Sequence, residues 1–361
     1  MKILLQTPFN LCINITYYRV SRLPSYTGRK RLKTVDNSRE VNMETPTLTL
    51  CNGVKMPVIG LGTWQSPVEK VKDAVRISLD LGYRAVDTAW SYKNETAIGE
   101  ALEEYFESGS LKREDVFITT KLPWHHMNPK DVQSSLEDSL KKLQLDYIDL
   151  YLIHTPCSLK NKGDSELLPR DENGKLEIEH TDLVQTWSAM EALVEQGKTR
   201  SIGLSNFNSA QIERILENSQ IKPVMNQVEC HAYMQQKELQ KFCESRGIKL
   251  TSYASLGSPG RPESLKDDGH KVLLEDPVIY QIAEKYNKTP AQVLLRNLVQ
   301  RGIFVIPKSV TQSRIEENFK IFDFQLTDED MKVIASLDQK TRMFALHVMT
   351  EHPEYPYHIP F

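Results

Sequence analysis

The sequence has no apolar run long enough to cross a bilayer, no Cys-x-x-Cys pair and no large excess of either charge. Each absence excludes a class of protein. A membrane-spanning helix needs about 20 consecutive apolar residues. Lys and Arg total 45 against 48 Asp and Glu, a net charge of -3 that leaves no footprint for nucleic acid or a charged lipid surface. The five cysteines, Cys12, Cys51, Cys157, Cys230 and Cys243, are odd in number and lack zinc-ligand spacing, which suits a reducing compartment. A third glycine is also missing. A dinucleotide-binding Rossmann unit needs Gly-x-Gly-x-x-Gly between its first strand and helix. Here the first apolar run yields only "GLGTWQ", Gly60 to Gln65, so a doubly wound sheet is disfavoured.

What is present is an ordinary globular composition, 40% hydrophobic and 26% charged over 361 residues. That length suits one large α/β barrel or two smaller domains. Residues 1–42 stand apart, with Arg19, Arg22, Arg29, Lys30, Arg31, Lys33 and Arg39 against only Asp36 and Glu40. Their composition fits a disordered tail, or a start codon upstream of a working Met43; a basic transit peptide is the alternative. A cytoplasmic location is expected, or a mitochondrial one if the transit reading holds.

From residue 47 the pattern becomes regular. "TLTLCNGVKM" alternates around Asn52-Gly53, a two-residue hairpin signal. Short apolar runs then alternate with stretches of helical period. The runs are Val58–Leu61, Ala85–Asp87, Val116–Leu122, Ile148–His154, Ser201–Ser205, Val224–Glu229, Lys249–Tyr253 and Ile303–Pro307. Helices are expected at Val68–Leu81, Thr96–Ser108, Lys130–Leu143, Leu183–Gln196, Ala210–Asn218, Lys237–Arg246 and Ala291–Gln300, with Thr327 capping "DEDMKVIASL". Eight such repeats predict a (β/α)8 TIM barrel over residues 43–361, preceded by a β-hairpin. Three stretches exceed plain connections: Cys157–His180, Ala254–Pro277 and Leu337–Phe361. The first two follow the fourth and seventh strands, which places them on the catalytic face of a barrel.

Asp87, Lys121 and His154 fall at the ends of the second, third and fourth apolar runs, and Tyr92 lies five residues beyond Asp87. Taken singly, each has an ordinary role: a turn aspartate, a packed tyrosine, a solvated lysine, an isolated histidine. A barrel would bring all four to one rim. There a lysine ammonium favours the phenolate of a tyrosine whose unperturbed pKa is near ~10. Asp87 would hold the lysine charged and oriented, and His154 would bond a substrate oxygen. Such a group can protonate an alkoxide as hydride reaches a carbonyl carbon, and it needs no metal.

The motifs "GLGTW" (Gly60–Trp64), "GYRAVDTAWSYKNE" (Gly82–Glu95), "LDYIDLYLIHTP" (Leu145–Pro156), "GLSNFN" (Gly203–Asn208), "NQVECH" (Asn226–His231) and "IPKSVTQSRIEENF" (Ile306–Phe319) occur in one order. From Thr47 to Phe361 the sequence resembles the aldo-keto reductases, nearest to their aldose- and aldehyde-reductase-like members. The resemblance implies a (β/α)8 barrel, NADPH/NADP+ as cofactor, and a tetrad of Asp87, Tyr92, Lys121 and His154 with Tyr92 as general acid. It implies that Ser205, Asn206 and Gln227 hold the nicotinamide carboxamide and that Tyr253 stacks on its ring. Thr63 and Asp87 would also border the cofactor, with Leu256 and Ser258 over its pyrophosphate. Lys308, Ser309, Thr311 and Arg314 would enclose the adenosine 2′-phosphate, Val310 would also touch the cofactor, and Glu317 and Asn318 would meet adenine. Trp64, Ser91, Trp124, His154 and Thr155 would face a small-molecule carbonyl substrate. A monomer without nucleic-acid or membrane partners is implied.

The sequence also departs from that pattern. Thr155 follows His154 where many relatives have tryptophan, and Pro123 stands at an often aromatic position, with Trp124 beside it. Glu263 occupies the place of a pocket tryptophan, which predicts a more polar carbonyl site with Trp64 as its main apolar wall. Gln65 and Gly260 replace an ion pair that clasps the cofactor, which predicts faster NADP+ release. Of two other readings, the first is set aside for want of a glycine-rich first turn and the second is the alternative. "YMQQK", Tyr233 to Lys237, matches the Tyr-x-x-x-Lys pair of short-chain dehydrogenases, though one such match is expected by chance. A catalytically weak NADP(H)-binding barrel serving as a regulatory or structural subunit would keep the same fold.

Overall fold

Two short strands open the fold, β1 (Thr47–Thr49) and β2 (Lys55–Pro57), paired antiparallel with Leu48 opposite Met56. Gly53 takes φ +86 in the turn between them, a conformation that glycine adopts without strain. Asn52 is not left-handed, however, and the Gly53 amide donates to Leu50 O at 2.9 Å, so the loop holds Cys51, Asn52 and Gly53 rather than the expected two residues. The computed structural model describes residues 45–266, 272–359 and 361. The expectations for residues 1–42 and Met43 lie outside the described residues.

Eight parallel strands follow: β3 (Leu61–Gly62), β4 (Ala85–Asp87), β5 (Phe117–Leu122), β6 (Leu150–Ile153), β7 (Ile202–Ser205), β8 (Met225–Glu229), β9 (Lys249–Tyr253) and β10 (Phe304–Val305). They neighbour one another in sequence order. The ring closes between its first and last members through parallel bridges, Ile59 to Val305 and Gly62 to Lys308. The Gly60 amide donates to Val305 O at 2.9 Å, and the Val305 amide to Val58 O at 3.0 Å. Closure explains one glycine: a Cβ on Gly62 would stand 2.4 Å from Ile306 O, inside any contact distance. The chain therefore forms the expected (β/α)8 barrel behind an N-terminal hairpin. The first strand is shorter than the expected Val58–Leu61 run, because Val58–Gly60 joins its neighbour by single bridges.

The helices α1 (Val68–Asp80), α2 (Glu95–Glu107), α3 (Pro129–Leu143), α4 (Leu183–Glu195), α5 (Ser209–Asn218), α6 (Lys237–Glu244), α7 (Pro277–Tyr286), α8 (Pro290–Gln300), α9 (Gln312–Phe319) and α10 (Asp328–Ala335) cover the strands. Seven match the sequence-based expectations to within two residues. Helix α7 was not singled out, because its Asp276-Pro277 start sits at the end of a long irregular stretch. Its cap is nevertheless clear, with the Asp276 carboxylate accepting the Val278 and Ile279 amides. Helix α10 begins with the anticipated Thr327 cap, a reciprocal box with Asp330. The strand–helix interface is apolar, with Ile98, Leu102, Ile118, Leu136, Tyr151 and Ile153 almost fully buried in one continuous core. Burial on this scale, at roughly 25 cal/mol per Å² of apolar surface, drives the fold and leaves the strand ends to carry polar groups.

Candidate active site

Strands β4, β5 and β6 deliver Asp87, Lys121 and His154 to one rim of the barrel. Tyr92 arrives from the connection after β4, at the end of a one-turn 3-10 helix, Trp90–Tyr92. Lys93 then adopts a left-handed φ of +58, which stops that turn and turns the chain into α2. Asn94 secures the connection: its side-chain amide donates to Thr63 O at 3.0 Å and Ser66 O at 3.2 Å, and its carbonyl accepts from Thr88 Oγ1. This bracing residue lies in a quoted motif, but its role was not read from the sequence.

The four groups meet. Lys121 Nζ lies 2.6 Å from Asp87 Oδ1, 2.8 Å from Thr88 O and 3.3 Å from Tyr92 Oη. The His154 ring stands edge-on to the Tyr92 ring, centroids 5.7 Å apart. Ser91 Oγ is 3.4 Å from His154 Nδ1. Lys121 has no exposed surface, so its ammonium depends on these oxygens in place of water. Burial alone would discharge it, but Asp87 and then Tyr92 hold its pKa above the usual lysine value. Burial raises the Tyr92 pKa above 10, against the opposing pull of Lys121. The lysine thus lowers the phenol as expected, yet burial outweighs it. His154, buried and facing Lys121, titrates well below 6.5 and is neutral.

The remaining expected residues line the same rim and the closure between β10 and β3. Thr63 donates its hydroxyl to Asp87 O at 2.9 Å. Gln227 donates its amide to Asp87 Oδ2 at 2.8 Å, and Ser205 Oγ donates to Gln227 O at 2.9 Å. Asn206, left-handed at φ +63, donates to His154 O at 3.0 Å and accepts from Tyr253 Oη at 2.8 Å. Leu256 packs against the core, and Ser258 takes φ +44 in the loop after β9. Lys308, Ser309, Val310, Thr311 and Arg314 run from β10 into α9, whose first turn has no side-chain cap. Burial and Arg314 both lower the Lys308 pKa, and neither cation pairs with a carboxylate among the described residues. Two cations left without a counter-charge beside an uncapped helix start fit a phosphate group. Glu317 accepts from Thr289 Oγ1, and Asn318 is buried on α9. Thr155 is buried, its hydroxyl accepting the Cys157 amide at 3.4 Å.

Comparison with known proteins decides the family. A model described as the aldo/keto reductase family matches residues 58–339. The chain belongs to that family. It is 47% identical over 330 residues to aldo-keto reductase family 1 member A1-A of Danio rerio, covering 88% of this chain and 100% of the relative. It is 46% identical over 315 residues to a prostaglandin-E(2) 9-reductase of Oryctolagus cuniculus, covering 86% and 97%. The solved aldose reductase of Schistosoma japonicum superposes with a TM-score of 0.82 at 46% identity, covering 88% of this chain and 100% of that one. As an aldo-keto reductase it is an oxidoreductase of carbonyl and alcohol groups that works with a nicotinamide cofactor. Among the described residues no helix is long and apolar enough to cross a membrane.

Within this aldo-keto reductase the "YMQQK" match dissolves. Tyr233 Oη donates to Asp276 Oδ2 at 2.6 Å, and Lys237 Nζ to Ala335 O at 3.1 Å, both away from the tetrad. The expected carbonyl wall also changes. Glu263 is exposed and pairs with Lys266 at 2.9 Å, so it does not make the pocket polar. Phe344 instead stands edge-on to Trp64 at 5.4 Å and to Tyr253 at 5.7 Å. Two amides fix it there, Met343 N at 2.6 Å from Glu229 Oε1 and Phe344 N at 2.9 Å from Oε2. The length of the C-terminal stretch pointed to that segment, but no local pattern identified Phe344. Trp124 supplies the neighbouring ring expected of it, 5.7 Å from His154, with its indole N–H on Leu167 O. Tyr357 was also missed; its hydroxyl donates to Asn206 Oδ1 at 3.1 Å.

Proposed function

We propose that residues 43–361 form a monomeric, cytoplasmic NADPH-dependent reductase of aldehydes or ketones, with Tyr92 as the general acid. The observation that carries this reading is Lys121 Nζ bridging Asp87 Oδ1 and Tyr92 Oη. NADPH, when bound, supplies the hydride for the carbonyl carbon. The chain supplies the proton and the alignment. Tyr92 holds its proton at neutral pH, because burial keeps its pKa above 10. As charge develops on the carbonyl oxygen, a phenol beside an ammonium is well placed to give that proton up, since the resulting phenolate is stabilised by Lys121. Asp87 keeps Lys121 charged and pointed at Tyr92, and the neutral His154 offers an N–H to the substrate oxygen. A proton on His154 Nε2 follows if Ser91 donates to Nδ1.

Lys308 and Arg314 favour NADPH over NADH, because the 2′-phosphate would neutralise two cations that otherwise face each other. Trp64, Trp124 and Phe344 favour a substrate with an apolar body beside its carbonyl. The relatives named above include a prostaglandin reductase and an aldose reductase, so the decisive assay spans both chemistries. NADPH oxidation would be followed at 340 nm with aldoses, aliphatic aldehydes and keto-lipids. Cofactor binding with no turnover on any of them would overturn the proposal.

A further inference from the structure

Two histidines that this reaction does not use stand side by side behind the catalytic turn. His125 and His126 close a one-turn 3-10 helix, Trp124–His126, just beyond β5. Their ring centroids are 4.2 Å apart, and both rings lie edge-on to the indole of Trp90. His125 is 2% exposed, yet neither of its ring nitrogens has a hydrogen-bond partner among the described residues, nor has Nδ1 of His126. Buried polar atoms are normally paired, so such nitrogens call for an explanation. Asp164, from the loop after β6, brings its carboxylate to 3.1 Å from His126 Nε2 and 3.8 Å from His125 Nε2. One donor atom from each of the three residues lies within 4.8 Å of the others.

We propose that His125, His126 and Asp164 bind a divalent transition-metal ion of the zinc class. Two imidazoles and one carboxylate suit such ions, whereas magnesium and calcium prefer oxygen donors alone. Three protein donors also leave a position for water. Both rings are available as ligands at neutral pH: burial lowers the His125 pKa to about 4 and depresses that of His126. Bonds of about 2.0–2.2 Å require the donors to draw closer than they stand. Asp164 can supply that movement, since its side chain is 62% exposed. Two features hold the affinity down. The Lys93 ammonium sits on Asp164 O at 3.0 Å and repels a second cation. The far nitrogens, Nδ1 of both rings, lack the acceptors that strengthen metal-bound histidines.

A bound ion would join the turn that carries Trp124 to the Cys157–His180 loop, and so fix one wall of the carbonyl pocket. The test uses the full chain, stripped with a chelator and titrated with Co²⁺ while its visible d–d absorption is recorded. One equivalent should bind without sulfur-to-metal charge-transfer bands, and Zn²⁺ should displace it. Asp164→Asn, an exposed change that spares folding, should weaken binding about tenfold or more, as should His126→Gln. Zn²⁺ should also slow proteolysis within residues 157–180 of the unaltered chain but not of Asp164→Asn. Equal Co²⁺ binding by the unaltered chain and Asp164→Asn, thiolate bands, or no binding would each overturn the proposal.

Discussion

Gln227 donates its side-chain amide to Asp87 Oδ2 at 2.8 Å, while Lys121 takes the other carboxylate oxygen. One buried aspartate thereby links the face expected to hold nicotinamide to the group expected to move the proton. Disturbing either side should be felt by the other, and the predictions below follow from that arrangement.

Tyr92→Phe removes the proton donor and leaves the ring that packs against His154. Reduction should slow by about 10²–10⁴-fold, the usual span for loss of a general acid. NADPH affinity, read by fluorescence titration, should stay within a few-fold. Near-full activity in this variant would remove Tyr92 from its role.

Lys121→Met should abolish reduction and cost stability, because Asp87 is left buried without its counter-charge. Breaking such a pair from one side typically costs about 3–5 kcal/mol. Adding Asp87→Asn to Lys121→Met should recover much of that stability in urea titrations while restoring no activity. No recovery in the double variant would mean the two residues are not energetically coupled.

Arg314→Ala should raise the Kd for NADPH by about tenfold or more, a loss typical of a charge-assisted contact of about 1.5–3 kcal/mol. Binding of NADH, which has no 2′-phosphate, should change little. Equal weakening of both cofactors would place Arg314 elsewhere.

The pH profile follows from two directions of shift. His154 titrates well below 6.5, so it stays neutral and should impose no loss of reductase kcat from pH 8 down to 6.5. Tyr92 titrates above 10, so its acid form persists through neutrality and reduction should fall only as pH rises past 10. Alcohol oxidation needs the phenolate as base and should instead increase with pH over the same range. Reduction lost on acidification through pH 7 would contradict the assignment of His154, and reduction lost on alkalinisation through pH 7 that of Tyr92.

Phe344→Ala should open the wall shared with Trp64 and Tyr253. We expect KM for apolar carbonyls to rise several-fold with kcat changed less, since the ring touches no reacting group. For small hydrophilic aldoses the same variant should differ little from the parent chain. A uniform fall in kcat across both classes would show that Phe344 orders the cofactor rather than the substrate.

Much of this molecule is written locally. Gly53 sets the hairpin, Thr327 with Asp330 sets the start of α10, and the alternation of apolar runs with helical periods sets the barrel. Those signals act over two to four residues, the range of turns, caps and amphipathic faces, so they survive in the sequence as pattern. Asp87, Lys121 and His154 were legible for a related reason: a parallel barrel sends every strand end to the same rim, so position along each strand implies proximity.

The tertiary structure alone decided the rest. Glu229 reaches Met343 and Phe344 across 114 and 115 residues and sets an aromatic ring into the site that Glu263 had been expected to make polar. Asp164 comes to His125 and His126 only because the loop after β6 folds back over the turn after β5. The buried state of Tyr92, which outweighs Lys121 in setting its pKa, likewise depends on every element packed around it. Contacts across such separations obey no sequence period, and desolvation is a property of the whole enclosure. The sequence determined the barrel and the four residues of its candidate site; the enclosure determined the ring beside Trp64, the protonation of Tyr92 and the neighbours of the two adjacent histidines.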